Sequence, residues 1–180
     1  MKRWDLRDLA KVAALTALYA AAGKLGLSLA FVHPNVSVVW PPTGIALAAL
    51  LLFGYRLWPG ITVGAILVNA LTGVSLPVAL GIAIGNTLEA LVGAYLLRRF
   101  VGFENSLDRL RDVLALVGVA AGLSTMTSAT IGVTSLVLGG VVSWAAVGSL
   151  WWQWWLGDAM GALVLAPPLL VWRRVLPRVS

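Results

Sequence analysis

An all-α, polytopic bundle of about six transmembrane helices is predicted by three observations. Hydrophobic residues make up 60% of the chain and charged residues 11%, with a mean hydropathy of +0.93, whereas soluble domains carry about a quarter charged residues. The apolar runs are about 20 residues long rather than alternating segments of about 10, which selects helices over a barrel. A helix satisfies every backbone N–H and C=O within its own segment, as the bilayer core requires. The cations, finally, fall in alternate gaps between the apolar runs.

The elements follow in order. The first span is expected from about Leu9 to Phe31 and the second from Pro41 to Phe53. The third is expected from Leu57 to Leu71, the fourth from Pro77 to Leu97, the fifth from Asp112 to Leu138, and the sixth from about Gly148 to Trp172. Spans two and three are short for a hydrocarbon core of about 30 Å, so one of them is open to a half-buried or re-entrant placement. Lys2 and Arg3 before an apolar run, with Ala20 to Ala22 after it, resemble a signal peptide. The apolar character continues past Gly26, which favours a span. The 180 residues read as a single integral membrane domain with no output domain.

Lys2, Arg3, Arg7 and Lys11 precede span one, Arg56 separates two and three, and Arg98, Arg99, Arg109 and Arg111 separate four and five. Arg173, Arg174 and Arg178 follow six. Of the 13 Lys and Arg residues only Lys24 lies elsewhere. The positive-inside rule makes that shared side cytoplasmic and places both termini there. The net charge of +6 is therefore anchoring, not a nucleic-acid surface, and membrane lipids are the immediate partners. With no Cys and one His there is no disulfide framework and no histidine metal set, so no metal and no cofactor is expected. Trp144, Trp151, Trp152, Trp154 and Trp155 sit at the outer end of span six and Trp4, Trp58 and Trp172 near the inner face, as an interfacial belt does. A ligand cage built from Trp151 to Trp155 is the other reading.

Helices in lipid associate through small residues. Gly60 and Gly64, Gly81 and Gly85, Gly118 and Gly122, and Gly157 and Gly161 supply one small-xxx-small pair to each of the last four spans. Ser124, Thr125, Thr127, Ser128 and Thr130 in span five either bond the carbonyl one turn back or line a polar strip.

Three charges lie inside spans: Lys24, Glu89 and Asp158. Counted from the outer ends at 1.5 Å per residue, Lys24 is about 10 Å deep and the two acids about 15 Å, so all three are expected to meet in one layer. An unpaired charge at that depth costs several kcal/mol or loses its ionisation. Asn86 shares a helix face with Glu89, three residues away. Asn69 and Gln153 are placed at the same level. The cluster reads equally as structural glue, with Lys24 bridging the acids, or as a ligand- or ion-sensing pocket. Trp40-Pro41-Pro42-Thr43-Gly44 at the outer start of span two fits a rigid first helical turn, and its free amides also suit an anion.

Gly23-Lys24-Leu25-Gly26-Leu27, Val39-Trp40-Pro41-Pro42-Thr43-Gly44-Ile45-Ala46, Gly85-Asn86-Thr87-Leu88-Glu89-Ala90 and Trp154-Trp155-Leu156-Gly157-Asp158-Ala159-Met160-Gly161 with Ala166-Pro167-Pro168 together resemble the MASE (membrane-associated sensor) family, first type. The resemblance covers most of the chain in the right order. It implies a sensory input module of bacterial signal transduction, of the kind that precedes a histidine kinase, diguanylate cyclase or phosphodiesterase output domain in two-component or cyclic-di-GMP signalling. The chain departs from it in ending eight residues after Trp172 and in having about six spans where longer members have about eight. A cytoplasmic histidine kinase or diguanylate cyclase partner is accordingly expected outside these residues, and a homodimer is compatible with the pattern.

The site expected on this reading comprises Lys24, Trp40, Asn69, Asn86, Glu89, Gln153, Trp154 and Asp158, sensing a small solute or ion near the outer half of the bilayer. Six helices around midplane polar groups also suit a small transporter or substrate-capturing subunit. An intramembrane enzyme is disfavoured, since there is no Cys, no nucleophile-His pair, and His33 lies in an outer loop. A purely structural scaffold is the remaining reading.

Overall fold

Each of the six expected segments forms a helix. The computed structural model describes residues 4–28, 37 and 39–175, the side chains of 173–175 excepted. The expected end of span one at Phe31, His33, Lys2, Arg3, Arg178 and the side chains of Arg173 and Arg174 therefore lie outside the described residues. We number the helices α1 (Leu6–Ser28), α2 (Pro41–Phe53), α3 (Trp58–Ala70), α4 (Leu76–Leu96), α5 (Leu110–Leu138) and α6 (Val147–Val175). No strand occurs among the described residues. Helix α4 runs on through a π-helical turn, Leu97–Val101, and α5 widens to a π-helix over Leu116–Ser124.

Local sequence explains the boundaries. Prolines stand in the first turns of α2, α3 and α4, where their missing N–H would have had no partner. Gly54, with φ of 95°, breaks the chain between α2 and α3 in a conformation a side chain would strain.

Glycine contacts set the packing. On α1 and α3, Gly60 meets Leu15, Gly64 meets Tyr19, and Gly23 meets Val68, so the two helices run parallel. Helix α2 runs back between them: Gly26 of α1 lies against Trp40 and Pro41, whereas Lys11 stands over the Phe53 ring at the opposite end. Gly81 against Ser135 and Gly93 against Ser124 make α4 and α5 antiparallel. Trp40 against Gly161 and Gly44 against Leu165 make α2 and α6 parallel. Helices consecutive in the chain thus alternate in direction, and the start of α1 and the end of α6 share one end of the bundle. The expected glycine pair of α5 makes no such contact. Gly118 has no neighbour on another helix, and Gly122 meets only a carbonyl of its own π-helical stretch.

Helix α2 is the centre of the bundle. Every residue from Pro42 to Leu51 is buried, against α1, α4 and α6. Its 13 residues rise only about 20 Å, short of the bilayer core, and an apolar surface all round fits an enclosed helix. Its C-terminal carbonyls are satisfied by neighbours: Arg98 Nη2 donates to Leu51 O at 2.6 Å and Asn105 Nδ2 to the same oxygen at 3.1 Å. The long apolar helices are Leu76–Val101, Leu110–Leu138 and Trp144–Trp172, each with the length and composition to cross a membrane.

Ion pairs gather at the end that holds the start of α1. Arg56 meets Asp8 at 3.0 Å and stacks over Trp4. Arg109 holds Asp112 through Nε at 2.7 Å and Glu104 through Nη1 at 2.7 Å. Asp112 opens α5 and is fully buried, so Arg109 neutralises a carboxylate that water does not reach.

Candidate functional site

The half of the bundle away from the start of α1 holds a buried polar cluster assembled from five helices. Thr43 of α2 donates its hydroxyl hydrogen to Asp158 Oδ1 of α6 at 3.0 Å. Ser128 of α5 donates to Asn86 Oδ1 of α4 at 2.7 Å, and Trp154 Nε1 of α6 donates to Ser128 Oγ at 3.1 Å. Glu89 lies one turn below Asn86 and adjoins Asp158, Ser128 and Thr43. From α1 comes Tyr19, fully buried, with Trp40, Asn86, Glu89 and Asp158 around its ring and hydroxyl.

The Trp40-Pro41-Pro42-Thr43-Gly44 segment closes this cluster. The Trp40 N–H donates to the Gly157 carbonyl at 2.8 Å, which fixes the start of α2 on α6. Gly161 permits that approach, because a Cβ there would collide with the Trp40 carbonyl. Gly44 answers it from α2, where a Cβ would collide with the Gly161 carbonyl. The two prolines and the paired glycines therefore bring Thr43 within reach of Asp158. No anion is needed to explain the motif.

A pocket of about 10 Å³ sits at the cluster, lined by Ser37, Trp40, Asn69, Ile82, Asn86, Trp154 and Asp158. That is room for about one water molecule. Three buried polar atoms of the cluster have no hydrogen-bond partner: Asn86 Nδ2, Glu89 Oε1 and Asp158 Oδ2. Native interiors rarely leave such atoms unsatisfied, and each costs about 1–3 kcal/mol when they do.

Of the eight expected site residues, six meet here: Trp40, Asn69, Asn86, Glu89, Trp154 and Asp158. Asn69 is buried and also donates to the Ala65 carbonyl of its own helix at 2.8 Å. Two do not join. Lys24 is exposed, and neither carboxylate takes part in an ion pair among the described residues. The reason is its helical face: α1 packs through Leu15, Tyr19, Gly23 and Gly26, and Lys24 stands about 100° off that stripe. The expected lysine-carboxylate layer is thus corrected to a layer of two acids, an amide and hydroxyls. Gln153 is half-buried outside the pocket, since five residues carry it about 140° around α6 from Asp158.

Sequence reasoning missed Tyr19, whose signal was present: Tyr19, Gly23 and Gly26 repeat at i, i+4 and i+7. The hydroxyl strip of α5 serves both expected roles. Ser124 and Thr125 bond the carbonyls of Ala120 and Ala121, while Ser128 enters the cluster. Nor do Trp151 to Trp155 form a cage. Trp151 and Trp155 stack at 6.3 Å with Trp152 edge-on, and their neighbour Trp154 turns inward against Gly132. Trp151 Nε1 donates to Thr130 and Trp155 Nε1 to the Gly122 carbonyl, so these indoles tie α6 to α5.

Neither a curated protein nor a solved structure matches the chain. The MASE1 family model matches residues 11–178, almost its whole length. A helical membrane bundle that encloses a polar cluster fits that match, and the chain belongs to the MASE1 family of membrane-associated sensory domains.

Proposed function

We propose that this membrane sensor module crosses the bacterial inner membrane six times with both ends cytoplasmic, and that the Asn86, Glu89 and Asp158 cluster is its sensing element. The observation that carries the reading is the set of three unpartnered buried atoms beside a water-sized pocket. A cluster built only for stability would close its own hydrogen bonds. Two further features support it. The alternating helices put the start of α1 and the end of α6 together, with Arg56, Arg98, Arg109 and Arg111 in or beside the connections at that end, which suits the cytoplasmic face. Helix α6 also runs unbroken from Asp158 to that end, so a displacement at the acid has a direct route to an output domain.

Pro167 and Pro168 lie inside α6 between the cluster and the cytoplasmic end. They deny donors to the carbonyls of Leu163 and Val164, which makes this the point where the helix bends most easily. A histidine kinase or diguanylate cyclase domain, in the same polypeptide or a partner, reads that bend. Signalling requires two states that bind the stimulus differently, and the pocket between the segment leading into α2 and helices α3, α4 and α6 is where they would differ.

The test is a chimera in which the chain drives a diguanylate cyclase, with cellular cyclic di-GMP as the readout. Asp158→Asn and Glu89→Gln are expected to fix output at one level while membrane insertion stays normal. Unchanged output control in both variants would remove the cluster from sensing. Solute uptake by proteoliposomes containing only this protein would replace the sensing reading with transport.

A further inference from the structure

We infer that Asp158, with Glu89 adjoining it from behind, holds one small monovalent cation, of sodium size, at the pocket beside Trp40 that Asp158 and Asn86 line. This names the ligand class of the site proposed above and rests on that reading.

The two carboxyl groups adjoin each other inside the bundle. Glu89 is 3% exposed and Asp158 1%, and no Lys or Arg among the described residues pairs with either. The other groups facing them are Tyr19 from α1, Thr43 from α2, Asn86 from α4, Ser128 from α5 and Trp154 from α6, none of them cationic. Two acids in a low-dielectric setting without a basic partner keep their ionisation only if a positive charge sits beside them. The remaining lone pairs mark where it sits. Thr43 occupies Asp158 Oδ1, leaving Oδ2, and Glu89 contributes Oε1.

Size and ligand number select the ion. A pocket of about 10 Å³ excludes organic solutes and any ion carrying its hydration shell. Calcium takes six to eight oxygens and magnesium keeps an octahedral set with several waters. Here only two carboxylates meet, and no group of three or more acidic or histidine side chains exists among the described residues. Two carboxylate oxygens and one amide oxygen suit a monovalent ion stripped of its shell, which takes the place of the one water the pocket could hold. Midplane carboxylates and carbonyls hold sodium in membrane transporters by the same chemistry.

Cation binding also accounts for the third unpartnered atom. A half-turn of the Asn86 amide, which exchanges its oxygen and nitrogen, aims the oxygen at the ion and Nδ2 at Ser128. Ser128 then accepts from Asn86 and Trp154, and its hydrogen turns to the adjoining Glu89. Every polar atom of the cluster acquires a partner.

The experiment uses the full chain in lipid nanodiscs, with unfolding followed by tryptophan fluorescence while sodium chloride replaces choline chloride at constant ionic strength and pH. A saturable rise of several degrees in Tm with sodium, absent in Glu89→Gln and in Asp158→Asn but kept in Gln153→Ala, is the expected result. Equilibrium binding of radiolabelled sodium to the wild-type protein, at about one ion per chain, keeps the test decisive if a variant fails to fold. A Tm that ignores sodium at every pH overturns the inference. A Tm that rises on acidification but ignores sodium also overturns it, in favour of a proton shared by the pair. Sodium binding without any effect on chimera output would leave the cation site standing and end the sensing reading.

Discussion

Gly161→Ala is the sharpest test of how the WPPTG segment and α6 are fitted together. A Cβ at Gly161 would fall on the Trp40 carbonyl, with the carbonyl carbon at 2.6 Å and Pro41 N at 3.4 Å. These are backbone atoms held by two prolines and by the Trp40 N–H bond to Gly157, so no side-chain rotation relieves the contact. Overpacking of this kind costs about 1–3 kcal/mol. Separating the segments also lengthens the Trp40 to Gly157 hydrogen bond, worth about 0.5–1.5 kcal/mol. The expected loss is about 2–4 kcal/mol, or about 4–16 °C in Tm for a chain of this size. Gly148→Ala in the first turn of α6 is the matched control. Nothing lies within 4 Å of its added Cβ, and alanine is the better helix former, so Tm is expected to hold or rise slightly. Both are read by thermal unfolding in nanodiscs with tryptophan fluorescence. If Gly161→Ala melts with the wild type and Gly148→Ala, the close crossing of α2 and α6 is wrong, and the placement of Thr43 on Asp158 falls with it.

Lys24→Gln should leave stability within about 0.5 kcal/mol of wild type, because an exposed side chain with no partner on the acids contributes little. A loss of several kcal/mol in chemical denaturation would instead restore the lysine to the acidic layer. At the opposite end, Arg109→Ala should destabilise by about 3–5 kcal/mol by leaving buried Asp112 unpaired, while Glu104→Ala, whose side chain is 60% exposed, should cost under about 1 kcal/mol. Equal effects of the two in the same denaturation assay would contradict the burial of Asp112. Replacing Pro167 and Pro168 together by alanine restores two helical donors in α6. Chimera output is expected to lose its dynamic range without a fall in Tm, and an unaltered range would rule out the proline step as the bending point.

The helices were legible because their signals are local: run length, prolines in first turns and glycines after last ones all act within a few residues. Five helices end within a few residues of their expected bounds wherever those bounds are described. Glu89, Asp158 and Asn86 were legible for a related reason, since polar groups in an apolar run have few places to go. Lys24 was misread because depth and face are separate coordinates. Sequence gives depth by counting, but the face of α1 is chosen by its contact with α3 and α2, through Gly23 on Val68 and Gly26 on Trp40. Gln153 failed on the same ground. The WPPTG motif was read as a helix start, which it is, but its contact with α6 joins residues 115 or more positions apart and leaves no local trace.

That long-range contact also supports the proposal that the polar cluster is there for sensing rather than for stability. Stability alone would be served better by apolar residues at positions 89 and 158, because a buried charge network is seldom worth more than a well-packed apolar core of the same volume. The bundle instead aligns two prolines, the Gly44 and Gly161 pair and the Thr43 hydroxyl to hold one oxygen of Asp158, and leaves the other oxygen without a partner beside a water-sized pocket. Holding one side of an acid rigidly while its other side stays unsatisfied creates a difference in energy between an occupied and an unoccupied state. The helix that carries Asp158 is also the one that contains the Pro167–Pro168 step and reaches the far end of the bundle. A stimulus that closes the last bonds of Asp158 therefore acts on the element best placed to move an attached output domain.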